Sequence, residues 1–541
     1  MRGEPVIKVT QTAYGQEVTG SMILQTVEFP DGRTERLLID CGANQEPEHI
    51  WLNYLPDVNP ENVDVVFLTH PHFDHIGLVP KLVRGGYNKP IYMTKAAKEL
   101  VCDFWMDSSR QQENTAREMR ERFPSPKATK ILQPLYNGED VKKTMELCEG
   151  MRYRETREVR PGVKVTFIEN AHLIGAGMIL VQYSYPEAKT LNYLFTGDFK
   201  FESRFMKVPE LPEWLTDKEI IMGIESTYVA TRSEEIKRCF TNNMLEAFAR
   251  RQSILLGGFA QGRMQDILFD LKLLQDENSI PEEYEIWIDG SLGISTTAAY
   301  VNILTWLNPE KSDFLPKGIK VVNPKKRAKI LEDGVPKIVV TTSGMLTRGP
   351  SRQYVPIFLR NPNALIHLVG YAAEGTLARS LLEAKSEDYV NFGGAKISKK
   401  CVIKSTREFS SHAPMDELLR LIKMFKNIRF LGINHGESDT KQFFEKAVHE
   451  ECPNVAQTGI MDRTAMFRFS RTGDGEISVK AMPSKLVVDC EEVLGPETDK
   501  TTILKNRAAA KNAAKEAKAC RAEKKDRKKG NEKRKKENRR R

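Results

Sequence analysis

From Val6 to Asp40 apolar and polar residues alternate around Gly15, Gly20 and Pro30-Asp31-Gly32, a pattern that predicts a β-rich opening built of hairpins. Two short apolar runs then predict buried strands. One, over 37–39, ends in Asp40-Cys41-Gly42; the other, over 63–68, ends in Thr69-His70-Pro71-His72-Phe73-Asp74-His75. The spacing next predicts a helix over 78–83, a strand over 90–93, a helix over 95–105 and a charged, solvated helix over 108–123. Further strands are expected over 163–168 and 194–199. From about Phe205 to Ala395 the pattern becomes strand, short glycine turn, helix, repeated. Strands over 220–225, 254–259, 338–345 and 365–371 lead into helices over 231–251, 264–274, 351–359 and 376–384. The first of these helices is opened by the capping-box sequence Thr231-Arg232-Ser233-Glu234. Such repeats predict a parallel α/β sheet with ligands at the carboxyl ends of its strands. The last folded stretch predicts a helix over 415–424, a strand over 428–437 and a helix over 440–449, with strands ending near Val488.

A chain of 541 residues exceeds one ordinary core, so several domains are expected. The composition shifts place them at 1–204, 205–395 and 396–490, followed by a basic tail over 491–541. With 40% hydrophobic and 29% charged residues the composition is globular. Nothing approaches 18 consecutive apolar residues and the first residues form no signal sequence, so a cytoplasmic protein without membrane contact is expected. Eight scattered cysteines contain no C-x-x-C pair, which argues against a disulfide framework and against a cysteine zinc finger.

Charge is unevenly spread. The net value is +9, yet Thr501 onward carries 18 Lys and Arg against 5 Asp and Glu, leaving 64 against 68 in the rest. The body is slightly acidic. The tail, nearly devoid of apolar groups from Lys524, is expected to be disordered and to contact nucleic-acid phosphates.

The chemistry concentrates after the strand over 63–68, where three histidines and a carboxylate fall within six residues. Imidazole and carboxylate suit zinc and similar divalent ions, and so short a loop can offer His70 and His72 to one ion and Asp74 and His75 to another. His172, His412 and His435 also stand on loops after strands, as do Asp198 and Glu225. Asp40 is placed to orient the metal loop by hydrogen bonds rather than to bind metal. His49, His367 and His449 lie in less telling contexts.

This set resembles the metallo-β-lactamase fold and, within it, the β-CASP nucleases. Asp40, the cluster His70 to His75, His172 and Asp198 match the lactamase-fold motifs in order. Glu225 in Glu225-Ser226-Thr227-Tyr228, His412 in Ser410-Ser411-His412 and His435 in Asn434-His435-Gly436-Glu437 match motifs A, B and C. The likeness spans about residues 5–480 and is greatest to bacterial and archaeal relatives of the pre-mRNA 3′-end cleavage factor, with RNase J more distant. It implies an αββα sandwich with an inserted parallel α/β domain. It also implies two zinc ions per chain, one on His70, His72 and His172, the other on Asp74, His75 and His435, bridged by Asp198. Asp74, His412, Glu225 and Asp40 would serve catalysis. Ser343, Gly344, Arg352 and Gly375 would meet the substrate, a single-stranded RNA hydrolysed endonucleolytically or from its 5′ end by a water shared between the ions. The resemblance leaves room for a homodimer and for RNA-processing partners. A DNA-processing β-CASP nuclease and a small-molecule metallo-hydrolase of the same fold are the alternatives; the first usually lacks a histidine at motif C, and the second has no use for the inserted domain, Glu225 or His412.

Overall fold

The alternating opening folds as β1 (Val6–Ala13), β2 (Ile23–Glu28) and β3 (Thr34–Ile39), paired antiparallel. The buried runs that follow, β4 (Val65–Phe67), β5 (Ile91–Thr94) and β6 (Cys148–Met151), add in parallel to β3. A second sheet starts from the meander β7 (Thr156–Arg160), β8 (Val163–Glu169), β9 (Gly177–Tyr185) and β10 (Ala188–Phe195) and continues in parallel with β11 (Glu219–Ile224). The computed structural model describes residues 6–483 except 16, 47–48, 56, 123–132, 347–348, 371, 373–375, 386–388, 393 and 473–474. The expected tail, the strand end near Val488 and Gly375 lie outside the described residues.

The third sheet is formed by β12 (Ser253–Gly257), β13 (Glu285–Asp289), β14 (Lys320–Val321), β15 (Lys337–Thr341) and β16 (Ala364–Val369), and, after a hairpin of β17 (Tyr389–Phe392) and β18 (Ala395–Ser398), by β19 (Val402–Thr406). Its order is β14-β13-β15-β12-β16-β19 and every pairing is parallel, as the strand-turn-helix repeat predicts. β12, β15 and β16 are buried along their whole length because helices cover both faces.

The chain then returns. β20 (Asn427–Ile433) and β21 (Thr458–Ile460) extend the second sheet beyond β11, while β22 (Met466–Thr472) and β23 (Ile477–Met482) extend the first beyond β1. The inner faces of these two sheets share one core, in which Val9, Leu37, Ile39 and Phe67 meet Val165, Phe167, Val181, Tyr193 and Phe430.

Four predicted elements differ. The strand at 220–225 belongs to the second sheet, between β10 and β20, and not to the inserted parallel sheet. The cap falls on Arg232 rather than Thr231 and opens only the 3₁₀ turn Ser233–Glu235, and the α-helix begins at Phe240. The helices expected over 95–105 and 108–123 are one continuous helix, Lys95–Arg122. The helix Ser291–Leu307 and the strand β13 before it were not foreseen.

Candidate metal centre

Every predicted metal-binding or catalytic residue leaves the carboxyl end of a strand: Asp40 after β3, His70 to His75 after β4, His172 after β8, Asp198 after β10, Glu225 after β11, His412 after β19 and His435 after β20. Close backbone approach brings these loops together. A side chain on Gly42 would place its Cβ 1.6 Å from the Asp74 carbonyl oxygen, and Gly197, at φ +57, lies against Thr69.

Three overlapping groups result, each with its ligand atoms within 4.8 Å of one another: His70, His72, His172 and Asp198; Asp74, His75, Asp198 and His435; and Asp198, Glu225, His412 and His435. Asp198 is common to all three. Its Oδ2 lies 3.5 Å from His70 Nε2 and 3.8 Å from His172 Nε2, and its Oδ1 3.4 Å from His75 Nε2 and 3.2 Å from His435 Nδ1. His435 Nε2 stands 3.5 Å from Asp74 Oδ2.

Polar partners hold three of the imidazoles. His75 Nδ1–H donates to Asp40 Oδ2 over 2.7 Å, His172 Nδ1–H to the Ser411 carbonyl over 2.9 Å, and His435 Nδ1–H to Thr227 Oγ1 over 2.8 Å. Each contact leaves Nε2 facing the cluster, the arrangement by which outer partners aim metal-binding histidines. Asp40 also accepts from the Thr69 backbone N–H over 2.8 Å, so it fixes both the loop and its histidine. Three polar residues not singled out in the sequence complete the frame. Thr69 bridges Asp40 to the His loop, and Thr227 holds His435. Asn170 accepts from the His172 backbone N–H while donating to the Asp198 carbonyl. Their signal was a hydrogen-bonding side chain beside a ligand at a strand end.

Burial holds His70, His72 and His172 in their neutral form, His72 down to about 4, which keeps imidazole lone pairs free for a cation. His75 runs the other way: burial disfavours its charge, but Asp198 and Asp40 outweigh it and raise it well above the usual value. For Asp198 burial favours the acid, and the surrounding histidines overcome that to hold it ionised. His412 Nδ1–H donates to Glu225 Oε2 over 2.8 Å. Burial penalises its cation, yet Glu225 and then Asp198 raise it to about 9.

The donors fit divalent ions. His72 Nδ1 faces His172 Nε2, and His75 Nε2 faces His435 Nε2, both at 3.1 Å, while His70 Nε2 and Asp198 Oδ1 are buried without a hydrogen-bond partner among the described residues. Nitrogen and oxygen acceptors converging in this way repel one another unless a cation lies between them.

Of the expected substrate residues, Ser343, Gly344 and Arg352 belong to none of these groups. Ser343 and Gly344 follow β15 beside Gly257 and Gly258, and the exposed Arg352 turns its guanidinium toward the Phe392 ring, 5.5 Å away. His367 is a core residue bonded to Asn243, and His449, on the helix Ser438–Glu451, bonds Thr458 of β21. No helix among the described residues is long and apolar enough to cross a membrane.

Three family descriptions match the chain in order: Metallo-beta-lactamase superfamily over 26–218, Beta-Casp domain over 264–381, and Zn-dependent metallo-hydrolase RNA specificity domain over 396–455. An RNase J-like protein of Methanocaldococcus jannaschii is 29% identical over 74% of this chain and 87% of its own length. Transcription termination factor FttA of Methanococcus maripaludis is 28% identical over 74% of this chain, and Cleavage and polyadenylation specificity factor 73 of Drosophila melanogaster 25% identical over 84%. The match spans 63% and 61% of those two longer proteins. With its two-sheet sandwich, parallel second lobe and clustered motif residues, the chain combines a metallo-β-lactamase domain with a β-CASP domain.

Proposed function

We infer that the protein is a zinc-dependent ribonuclease with a dinuclear centre. The observation that carries the reading is the pair of ligand groups sharing Asp198, with the His412–Glu225 pair alongside. His70, His72 and His172 would hold one ion and Asp74, His75 and His435 the other, with Asp198 between them. Ions held there would activate water and neutralise charge on a phosphodiester. The protein's own groups do the rest. Asp40, Thr227 and the Ser411 carbonyl keep the imidazoles aimed, so the ligand cage costs little reorganisation when substrate arrives. His412, cationic up to about pH 9 and oriented by Glu225, donates a proton to the departing 3′ oxygen. Hydrolysis in that sense leaves a 3′-hydroxyl and a 5′-phosphate and makes no use of the 2′-hydroxyl. RNA as the substrate is supported by the match to an RNA specificity domain and by the names of the relatives.

The test is cleavage of 5′-labelled and internally labelled RNA, and of matching single-stranded DNA, by the wild type and by His72→Ala, with and without chelator, alongside metal analysis. Loss of cleavage with chelator and in the variant is expected, with zinc at two ions per chain in the wild type. Chelator-insensitive cleavage, or an equally active variant, refutes the reading; preference for DNA refutes its substrate half.

A further inference from the structure

β19 ends at Thr406 and leads within six residues to His412, so the carboxyl ends of the third sheet face the metal centre. β14 occupies the opposite edge of that rim, five inter-strand steps from β19, or about 24 Å at the usual strand spacing. Beyond β14 the chain forms the 3₁₀ turn Pro324–Lys329, of sequence PKKRAK. From Phe314 to Leu331 there are six Lys and Arg and no Asp or Glu, which stands out in a body that is otherwise slightly acidic.

The turn is firmly seated. Arg327 makes two bonds to Asp289, the last residue of β13, over 2.6 and 2.8 Å, and Tyr354 Oη–H donates to the same carboxylate over 2.6 Å. Lys325 and Lys326 are exposed and, among the described residues, have no carboxylate partner. Among the described residues Lys329 has only an exposed contact with Glu332 at 3.7 Å. Between this turn and the metal centre, at the carboxyl end of β12, Phe259 is 47% exposed. A cationic turn and an exposed aromatic ring along one rim match the way single strands are held, by phosphate contact and base stacking.

We propose that the turn Pro324–Lys329 is a phosphate-contact surface for the RNA strand remote from the cut, with Lys325 and Lys326 as its cations and Phe259 as a stacking platform on the way. The proposal rests on the ribonuclease reading. The basic turn lengthens the RNA footprint beyond the metal centre, so its effect grows with RNA length.

The experiment compares the full chain with Lys325→Gln/Lys326→Gln, with Phe259→Leu, and with Lys142→Gln/Lys143→Gln as a charge-matched control on a remote helix. Binding of RNA of about 15 and about 4 nucleotides is followed over a salt series, bracketing typical single-strand site sizes. For the longer RNA the slope of log Kd against log salt falls by about 1.4 in the Lys325/Lys326 variant, two contacts at about 0.7 each. Phe259→Leu weakens binding with the slope unchanged, and the control matches the wild type. An unchanged slope in the Lys325/Lys326 variant overturns the proposal, as does an equal fall for both RNA lengths or in the control. Binding without cleavage in the wild type sinks the ribonuclease reading, while the slopes still decide the turn.

Discussion

Replacing Asp40 with asparagine separates the two ligand groups. The buried Asp40 carboxylate accepts three hydrogen bonds, from His75 Nδ1–H at 2.7 Å and from the Thr69 N–H and O–H, each at 2.8 Å. An asparagine keeps a carbonyl for the Thr69 N–H but turns an NH₂ group toward two donors. The Thr69 hydroxyl can rotate away. His75 cannot: it must move its proton to Nε2, the atom that faces Asp198 and His435. An ion on the Asp74, His75 and His435 group then meets a proton where it needs a lone pair, whereas His70, His72 and His172 have no bond to Asp40. Loss of such outer partners commonly costs 10–100-fold in metal affinity, or about 1.4 to 2.7 kcal/mol. The expected outcome for Asp40→Asn is therefore two unequal zinc sites, one near wild-type affinity and one weakened by about one to two orders of magnitude. Cleavage should recover as zinc is raised. Competition against a graded chelator with metal analysis reads this directly, and circular dichroism checks the fold. Parallel weakening of both ions, or two unaltered ones, would show that Asp40 does not act through the His75 tautomer.

Glu225→Gln removes the anion that raises His412, so the alkaline fall in kcat should move from about pH 9 toward neutrality. The sign follows because the cation is the active donor and is lost as pH rises through its pKa; a limb that stays in place refutes the assignment. Gly197→Ala forces a left-handed backbone on a residue with a side chain and sets its Cβ 2.9 Å from Thr69 Cβ. It should lower stability by about 1–2 kcal/mol from the backbone alone and reduce zinc content; an unaltered Tm argues against a tight Gly197–Thr69 contact.

The metal loop was legible because four donors follow one apolar strand within six residues, a local pattern that needs no knowledge of the rest of the chain. His172 and His435 were legible only as single histidines at strand ends, and it took the family likeness to join them. The elements that differ do so for non-local reasons. The capping box expected from Thr231 and Glu234 forms one residue further on, where Glu235 reaches back to the Arg232 N–H. The Ser233 N–H and hydroxyl are instead bound to Asp416, which draws the chain away from a helical path, and the remote Glu408 receives the first N–H groups of the helix Phe240–Ala249. In the helix Lys95–Arg122 the change from apolar to charged residues after Trp105 suggests two helices, but Gln112 bonds Ser108 one turn back and the helix runs through. The placement of β11 depends on which strands flank it, β10 and a β20 some 200 residues later, and one strand's apolar run cannot encode that choice.

The same long crossing gives the second lobe a part in the proposed chemistry. Glu225 is delivered by β11 of the second sheet and His412 by the exit from β19 of the third, so their 2.8 Å hydrogen bond exists only when the two sheets are correctly docked. The docking is braced close by. Arg204 makes two bonds to Asp270 on the helix Arg263–Asp276, at 2.6 and 2.7 Å, and its guanidinium lies 4.1 Å above the Phe409 ring, three residues before His412. Lys200, two residues after Asp198, bonds the Ser410 carbonyl. Separation of the second and third sheets would strain the Glu225–His412 bond, whereas the groups around His70 and His75 draw their ligands only from the first two sheets. Ligands and His412 are thus delivered by different sheets, but the Ser411 carbonyl that aims His172 shares the β19 exit. A change at the Arg204 brace should therefore disturb the Glu225–His412 pair together with the orientation of His172, and reach the Asp74, His75 and His435 group last.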